Sequence, residues 1–136
     1  MKRSPIRSRS LKSRSAALVQ AQAAFNAFIR ARDFGLPCIS CGEVKELQCG
    51  HYRSVRAAPE LRFAEENANG QCERCNTNLG GNREGYRRGI IESFGKAYLD
   101  CLDGPHEAKN YTVEQLREIR AKYSARAAEL IADMAA

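Results

Sequence analysis

Four of the six cysteines fall into two Cys-x-x-Cys pairs, and their spacing predicts a metal site. Cys38 and Cys41 form the first pair, and Cys72 and Cys75 form the second, with 30 residues between the pairs. Two such pairs can present four thiolates to one zinc ion in a tetrahedron. We expect the chain in the cytosol, where thiols stay reduced, so disulfides are not expected. We therefore predict that these cysteines bind a structural zinc ion.

Three polar residues accompany the cysteine pairs in a fixed order. His51 lies between the pairs, Asn67 precedes the second pair by five residues, and Asn76 directly follows it. This order resembles the zinc-bearing branch of the HNH, or His-Me finger, nucleases. The resemblance implies that His51 is the general base, that Asn67 orients it or its loop, and that Asn76 binds one Mg²⁺ or Mn²⁺ ion. The residue types suit these roles, because imidazole titrates near neutral pH and hard cations prefer oxygen ligands.

The resemblance has one departure, at the residue before His51. Many HNH motifs place there an Asp that provides a second ligand to the catalytic metal, whereas this chain has Gly50. A second interpretation therefore stays open, namely a zinc-dependent DNA-binding or interaction module without catalysis. The two interpretations differ in whether His51 and Asn76 face each other across one cleft.

Longer segments narrow the resemblance to one family. AQAAFNAFIRAR, LPCISCG, GHYRSVRAAPELRF, NANGQCERCN and GGN follow one another in this order. They resemble the NinG family of lambdoid phages, whose members are also called Rap. That resemblance implies a structure-specific endonuclease acting on D-loops and Holliday junctions during phage recombination in the host cytoplasm. Because paired cuts need two active sites, the expected partners include a second copy of the chain, besides branched DNA and host or phage recombination proteins.

Basic residues are unevenly distributed along the chain. Residues 1–14 contain six basic residues and no acid, and the other 122 residues carry 16 of each sign. Such a Ser-rich basic segment suits nucleic-acid phosphates, although a solvated terminus without a ligand is the alternative. Arg53 and Arg87 are the preferred DNA contacts among the arginines near the cysteine pairs, since guanidinium groups bind phosphates bidentately. Asn82 is placed either to contact a phosphate or to cap the helix that follows.

The remaining pattern predicts an α+β fold around the zinc-clamped centre. We expect a disordered tail over residues 1–14 and a single domain over residues 15–136. This domain comprises a helix over 15–35, a ββα core of the HNH, treble-clef-like kind over 37–82, and helices over 83–134. No run of about 18 apolar residues is present to form a membrane span.

Several local features refine these boundaries. Ser15 is the expected cap of the first helix, and Val44–Tyr52 is expected to form a short hairpin that ends at His51. Gly95 should separate two helices, and Thr112 with Gln115 has the spacing of a capping box. Cys101 is expected in the core, because free cysteines are usually buried. Cys49 is expected to be a buried or incidental thiol, because four thiolates already complete a zinc site.

Overall fold

The computed structural model describes the backbone of residues 5–136 and the side chains of residues 13–136. Its elements are the helices and strands α1 (Pro5–Arg32), β1 (Leu47–His51), β2 (Ala68–Cys72), α2 (Arg83–Phe94), α3 (Lys96–Asp103) and α4 (Val113–Ala135). Single helical turns lie at Pro59–Leu61, Glu65–Asn67 and Arg74–Asn78. The described chain forms two compact units, one of residues 5–28 with Asn110–Ala136 and one of Ile29–Lys109. The structure is therefore mixed, with helices and one small sheet.

Helix α1 begins at Pro5 and not at Ser15, where the sequence predicted its start. Proline is favoured in the first turn of a helix, because its missing N–H is not needed there. No glycine and no further proline interrupts the sequence before Gly35, whose φ of 84° ends the helical stretch. The Ser-rich segment therefore continues the helix.

The predicted nucleic-acid contacts of the basic segment fall mostly outside the described residues. Residues 1–4 are not described, and neither are the side chains of residues 5–12. Arg14 is described, and its Nε donates to the carbonyl oxygen of Tyr111 at 3.2 Å.

The first unit pairs α1 with α4 through aromatic side chains. Phe25 and Phe28 are buried and pack on Tyr123 with ring centroids 5.0 and 5.1 Å apart. The predicted capping box at the start of α4 is confirmed, since Thr112 accepts from the Gln115 backbone and Gln115 accepts from the Thr112 backbone. No helix in the described residues is long and apolar enough to cross a membrane.

The sheet of the second unit consists of β1 and β2 in antiparallel register, with His51 opposite Ala68 and Leu47 opposite Cys72. The predicted hairpin within Val44–Tyr52 is wrong, because the partner of β1 lies about 20 residues further along the chain. All five residues of β2 are buried, yet none is β-branched or aromatic. The strand therefore lacks the alternation and composition by which strands are usually recognised.

Helices α2 and α3 enclose a small core beside the sheet. Tyr86 and Ile90 of α2 pack with Leu99 and Leu102 of α3 and with Tyr52. Gly95, with a φ of 93°, separates the two helices as predicted. The expectation that Cys101 is buried is wrong. Leu99 and Leu102 are three residues apart and share the inner face of α3, and this places the cysteine between them on the outer face.

Two glycines bring α2 against the first cysteine pair. A Cβ at Gly85 would lie 2.5 Å from the Ser40 carbonyl oxygen, and one at Gly89 would overlap the Ile39 carbonyl. The backbone of α2 thus packs directly on the turn that carries Cys38 and Cys41.

Candidate functional site

The four predicted zinc ligands converge at one point of the second unit. Their sulfur atoms all lie within 4.8 Å of one another, and the Cys41 and Cys72 sulfurs are 3.8 Å apart. Zinc–sulfur bonds of about 2.3 Å in a tetrahedron place the sulfurs about 3.8 Å apart. Cys38, Cys72 and Cys75 are buried and Cys41 is exposed. The spacing and the donor set therefore fit a metal ion such as zinc.

Hydrogen bonds to two of the sulfurs favour their thiolate form, but burial outweighs this effect at Cys75 and raises its pKa to about 12. The Cys72 backbone N–H donates to the Cys38 sulfur at 3.3 Å, and the Asn82 amide Nδ2 donates to the Cys75 sulfur at 3.4 Å. Burial opposes ionisation of Cys38, but hydrogen bonds from the backbone of Cys72, Cys41 and Ser40 outweigh it and lower its pKa to about 7. These hydrogen bonds therefore favour a thiolate at Cys38.

His51 occupies the last position of β1 and is half-buried. Its Nε2 lies 3.0 Å from the carbonyl oxygen of Arg62. Because a carbonyl can only accept, Nε2 carries the proton, and Nδ1 is the basic nitrogen of the neutral ring. Burial lowers the pKa of His51 below its usual value, more than the carbonyl contact raises it. The ring is therefore neutral and able to accept a proton at neutral pH.

Asn67 is fully buried and holds the loop that follows His51. Its Oδ1 accepts from the Arg53 backbone N–H at 2.9 Å, and its Nδ2 donates to the Arg53 carbonyl at 3.0 Å. The Tyr52 backbone N–H donates in turn to the Asn67 carbonyl at 2.8 Å. The Asn67 side chain thus fixes Arg53, two residues after His51, and the Asn67 backbone carbonyl fixes Tyr52, one residue after it.

His51 and Asn76 line the same cleft, which has a volume of about 240 Å³. The other lining residues are Cys49, Tyr52, Ser54, Val55, Gly80, Gly81 and Arg83. The Asn76 amide Nδ2 donates to Gln48 Oε1 at 2.8 Å, so Oδ1 is the atom with which Asn76 would hold a cation. One amide oxygen is a sparse donor set for a divalent cation, which proteins usually bind through one or two carboxylates.

The position before His51 has no space for a side chain. A Cβ at Gly50 would overlap Gln71 Oε1 and would lie 2.8 Å from Gln71 Cβ and 2.9 Å from its Cδ. Gln71 is fully buried, and its Nε2 donates to Ser40 Oγ at 2.8 Å and to the Gly81 carbonyl at 2.6 Å. The glycine is therefore required by packing, and position 50 supplies no metal ligand.

The comparison with known proteins identifies the family. The sequence model described as Bacteriophage Lambda NinG protein matches residues 2–132. This chain belongs to the NinG family. It is 46% identical over 127 residues to Protein ninG of Escherichia phage 933W and 43% identical over 127 residues to Protein ninG of Escherichia phage lambda.

These alignments cover 92% of this NinG chain but only 63% and 62% of the two relatives. The chain thus spans less than two thirds of the length of the curated NinG proteins that it matches. No solved structure shows significant similarity to it.

The three residues predicted to contact DNA, Arg53, Arg87 and Asn82, differ from one another in their hydrogen bonds and exposure. Arg53 donates through Nη1 to the Leu102 carbonyl at 3.1 Å, and Arg87 is exposed on α2. Asn82 caps α2 by accepting from the Gly85 backbone N–H at 3.4 Å, while its amide reaches the Cys75 sulfur. The two predicted roles of Asn82 were a phosphate contact and a cap. The structure shows the cap and adds a contact to a metal-binding thiol.

The sequence interpretation did not name Gln71 as a residue of the cleft region, and it ranked Arg83 below Arg53 and Arg87 as a DNA contact. Gln71 connects the first cysteine pair to the cleft wall, and Arg83 lines the cleft beside His51. Arg83 immediately follows the Gly-Gly-Asn segment, and this was the available signal for it. Cys49 lies outside the group of four cysteines and also lines the cleft. Burial raises the pKa of its thiol to about 12, so it stays protonated.

Proposed function

We propose that this NinG-family chain is a metal-dependent DNA endonuclease of the HNH, or His-Me finger, type with a structural zinc ion. The observation that carries the proposal is that His51 and Asn76, from distant parts of the sequence, line one cleft. Asn67 supports it by fixing the loop after His51. A module that only bound DNA would have no need to bring a neutral imidazole and an amide oxygen together.

In the proposed reaction His51 removes a proton from a water molecule through Nδ1. The water oxygen attacks the phosphorus atom, and the bond from phosphorus to the leaving sugar oxygen breaks. That oxygen departs with the bonding electrons and takes up a proton from solvent. The Arg62 carbonyl holds the imidazole by accepting from Nε2, so the ring can become cationic while it stays in place.

A divalent cation is expected at Asn76 in this mechanism. Asn76 would hold it through Oδ1, with water molecules and the phosphate as its other ligands. When bound, the cation supplies charge that stabilises the pentacovalent phosphate and the leaving oxygen. The four thiolates would hold zinc separately, because soft sulfur ligands suit zinc and poorly suit Mg²⁺ or Mn²⁺.

The proposed substrates are branched recombination intermediates, namely D-loops and Holliday junctions. This part rests on the resemblance to the NinG, or Rap, family. The cleft does not carry it, because a cleft of this size holds one phosphodiester of any DNA, branched or linear. The proposed setting is the host cytoplasm, with a second copy of the chain and host or phage recombination proteins as partners. Two copies would place two clefts on one junction.

The second candidate function is a zinc-dependent binding module without catalysis. One observation favours it, since no carboxylate lines the cleft among the described residues and Gly50 leaves no space for one. A catalytic cation would therefore depend on a single protein oxygen. The two functions predict opposite results in a cleavage assay.

The test is cleavage of labelled DNA by wild type, His51→Ala and His106→Ala. His106 is exposed, lies outside the cleft and bonds only the Leu102 carbonyl among the described residues, so His106→Ala is the matched control. A D-loop, a four-way junction and a linear duplex are incubated with Mg²⁺, with Mn²⁺ or without added metal, since a chelator would also remove zinc. The proposal expects metal-dependent cutting of branched DNA by wild type and the control and none by His51→Ala. Equal binding of junctions by all three proteins without cutting supports the binding module.

A further inference from the structure

Arg83 places a cationic side chain in the cleft that contains His51 and Asn76. It is the first residue of α2 and directly follows the cap Asn82. The side chain is exposed and makes no hydrogen bond or ion pair with any residue whose side chain is described. Its guanidinium group is therefore available to a ligand.

In the part of the chain that the structure describes, the residues that line the cleft carry positive charge and no negative charge. Among the described residues that line it, Arg83 has the one permanent charge, and the others are neutral side chains or glycines with no Asp or Glu. A cation in a lining without an acid attracts an anion, and a guanidinium group matches two phosphate oxygens with parallel hydrogen bonds. The lining is suited to a phosphodiester, whose charge grows during hydrolysis.

The position of Arg83 is unfavourable for the helix itself. The first turn of a helix carries partial positive charge, so a cation there is unfavourable. No ion pair within residues 13–136 offsets this cost for Arg83. A locally unfavourable residue in a cleft is typical of a functional position.

We infer that Arg83 contacts the scissile phosphate and stabilises its transition state, which makes it a further catalytic residue. The inference rests on the proposed nuclease function and adds a residue to the same site. Arg83 approaches the phosphate from α2, while His51 approaches from the end of β1 and Asn76 from the turn at Arg74–Asn78. The expected cation has one protein ligand, Asn76, because Gly50 provides none. The charge of Arg83 is therefore more important for stabilising the phosphate.

Two neighbouring arginines on the same helix provide the comparison. Arg87 lies one turn after Arg83, is exposed and does not line the cleft. Arg88 lines a separate groove that contains Cys41 and Phe94. Arg88→Ala removes the same charge from the same helix on another surface, so it is the matched control for Arg83→Ala.

The experiment measures two quantities for a labelled four-way junction, namely the single-turnover cleavage rate with Mg²⁺ and the dissociation constant without it. Wild type, Arg83→Ala, Arg83→Lys and Arg88→Ala are compared after zinc content and circular dichroism confirm that each is folded. Loss of one preorganised transition-state donor lowers rates by about 10²–10³-fold. We expect that loss in Arg83→Ala, partial recovery in Arg83→Lys, a change in dissociation constant below about tenfold, and a near wild-type rate in Arg88→Ala.

Each other outcome overturns the inference. If wild type cuts and Arg83→Ala cuts at the rate of Arg88→Ala, Arg83 has no catalytic role and the nuclease function still stands. If the whole loss lies in the dissociation constant, Arg83 only binds DNA. If wild type does not cut at all, the nuclease function is wrong, and the catalytic assignment of Arg83 is wrong with it.

Discussion

Replacing Gly50 by alanine should destabilise the protein more than a glycine-to-alanine change usually does. The added Cβ would overlap Gln71 Oε1 and lie 2.8 Å from Gln71 Cβ. Gln71 is fully buried and cannot simply turn away, because its Nε2 bonds Ser40 Oγ and the Gly81 carbonyl. The same overlap applies to aspartate, so Gly50→Asp would not restore a metal ligand.

The magnitude follows from the two ways in which the clash can be relieved. Forcing one extra carbon into a packed interior costs about 1–3 kcal/mol. Moving the Gln71 amide instead leaves the half-buried Gly81 carbonyl and the buried Ser40 hydroxyl without their donor. An unsatisfied buried group costs about 1–3 kcal/mol, and the half-buried carbonyl costs less because water can reach it. Because Gln71 Cβ stays close in either case, we expect Gly50→Ala to lower the free energy of unfolding by about 2–4 kcal/mol.

Urea unfolding at a fixed free zinc concentration measures this loss. The control is Gly104→Ala, since φ at Gly104 is −74° and the nearest atom to its added Cβ is 3.2 Å away. We expect the control to change stability by no more than about 1 kcal/mol in either direction. If Gly50→Ala unfolds at the same urea concentration as the control, Gln71 does not fill the space before His51. The packing explanation for the missing aspartate is then wrong.

Three further predictions concern the metal centre and the histidine. Removal of the metal with a chelator should unfold the region between the cysteine pairs, and stoichiometric zinc should refold it. Loss of the circular dichroism signal and faster proteolysis would show the unfolding. An unchanged spectrum would contradict a structural metal. Asn82→Ala should lower the free energy of unfolding by about 0.5–2 kcal/mol, because α2 loses its cap. It should also weaken zinc binding by about 10–100-fold, because Cys75 loses a hydrogen bond, and competition with a chromophoric chelator measures this affinity. An unaltered zinc affinity would show that Asn82 does not support the metal site. Because burial lowers the pKa of His51, cleavage should reach half of its maximum below pH 6.5 and be lost at lower pH as the ring becomes protonated. A midpoint above 6.5 would contradict that environment.

Because the pKa of His51 is lowered in the folded protein, the free energy of unfolding should decrease as the pH falls below 6.5. The unfolded chain takes up a proton at His51 as the pH falls through its ordinary value, before the folded chain does. The contribution of His51 is therefore fully present above that value and is lost as the pH falls through the lowered pKa. The expected slope lies on the acid side of pH 6.5, and His51→Gln should reduce it.

The sequence was most informative where local rules determine the structure. The spacing of the Cys-x-x-Cys pairs predicted the group of four sulfurs, Gly95 predicted the break between α2 and α3, and Thr112 predicted the start of α4. Each of these depends on residues close together in the chain or on a spacing that one metal ion requires. These features therefore need no knowledge of the tertiary packing.

The features that were missed depend on contacts between distant residues. β2 consists of Ala68–Cys72, and its Asn, Gly and Gln residues carry no strand signal because they are buried by polar contacts rather than by apolar alternation. Gln71 acquires its role through Ser40 and Gly81, and no spacing rule connects these residues. The sequence named His51 and Asn76 by resemblance, but only the folded chain brings them to one cleft.

The most direct test of the central claim is a double-mutant cycle on four-way junction cleavage. Single-turnover rates are measured for wild type, His51→Ala, Asn76→Ala and the double variant, each with its zinc content verified. If the two side chains act on one phosphodiester in one cleft, each single change should abolish most of the rate, and the double variant should be little slower than either. Junction cleavage that survives in His51→Ala at the wild-type rate would contradict the account.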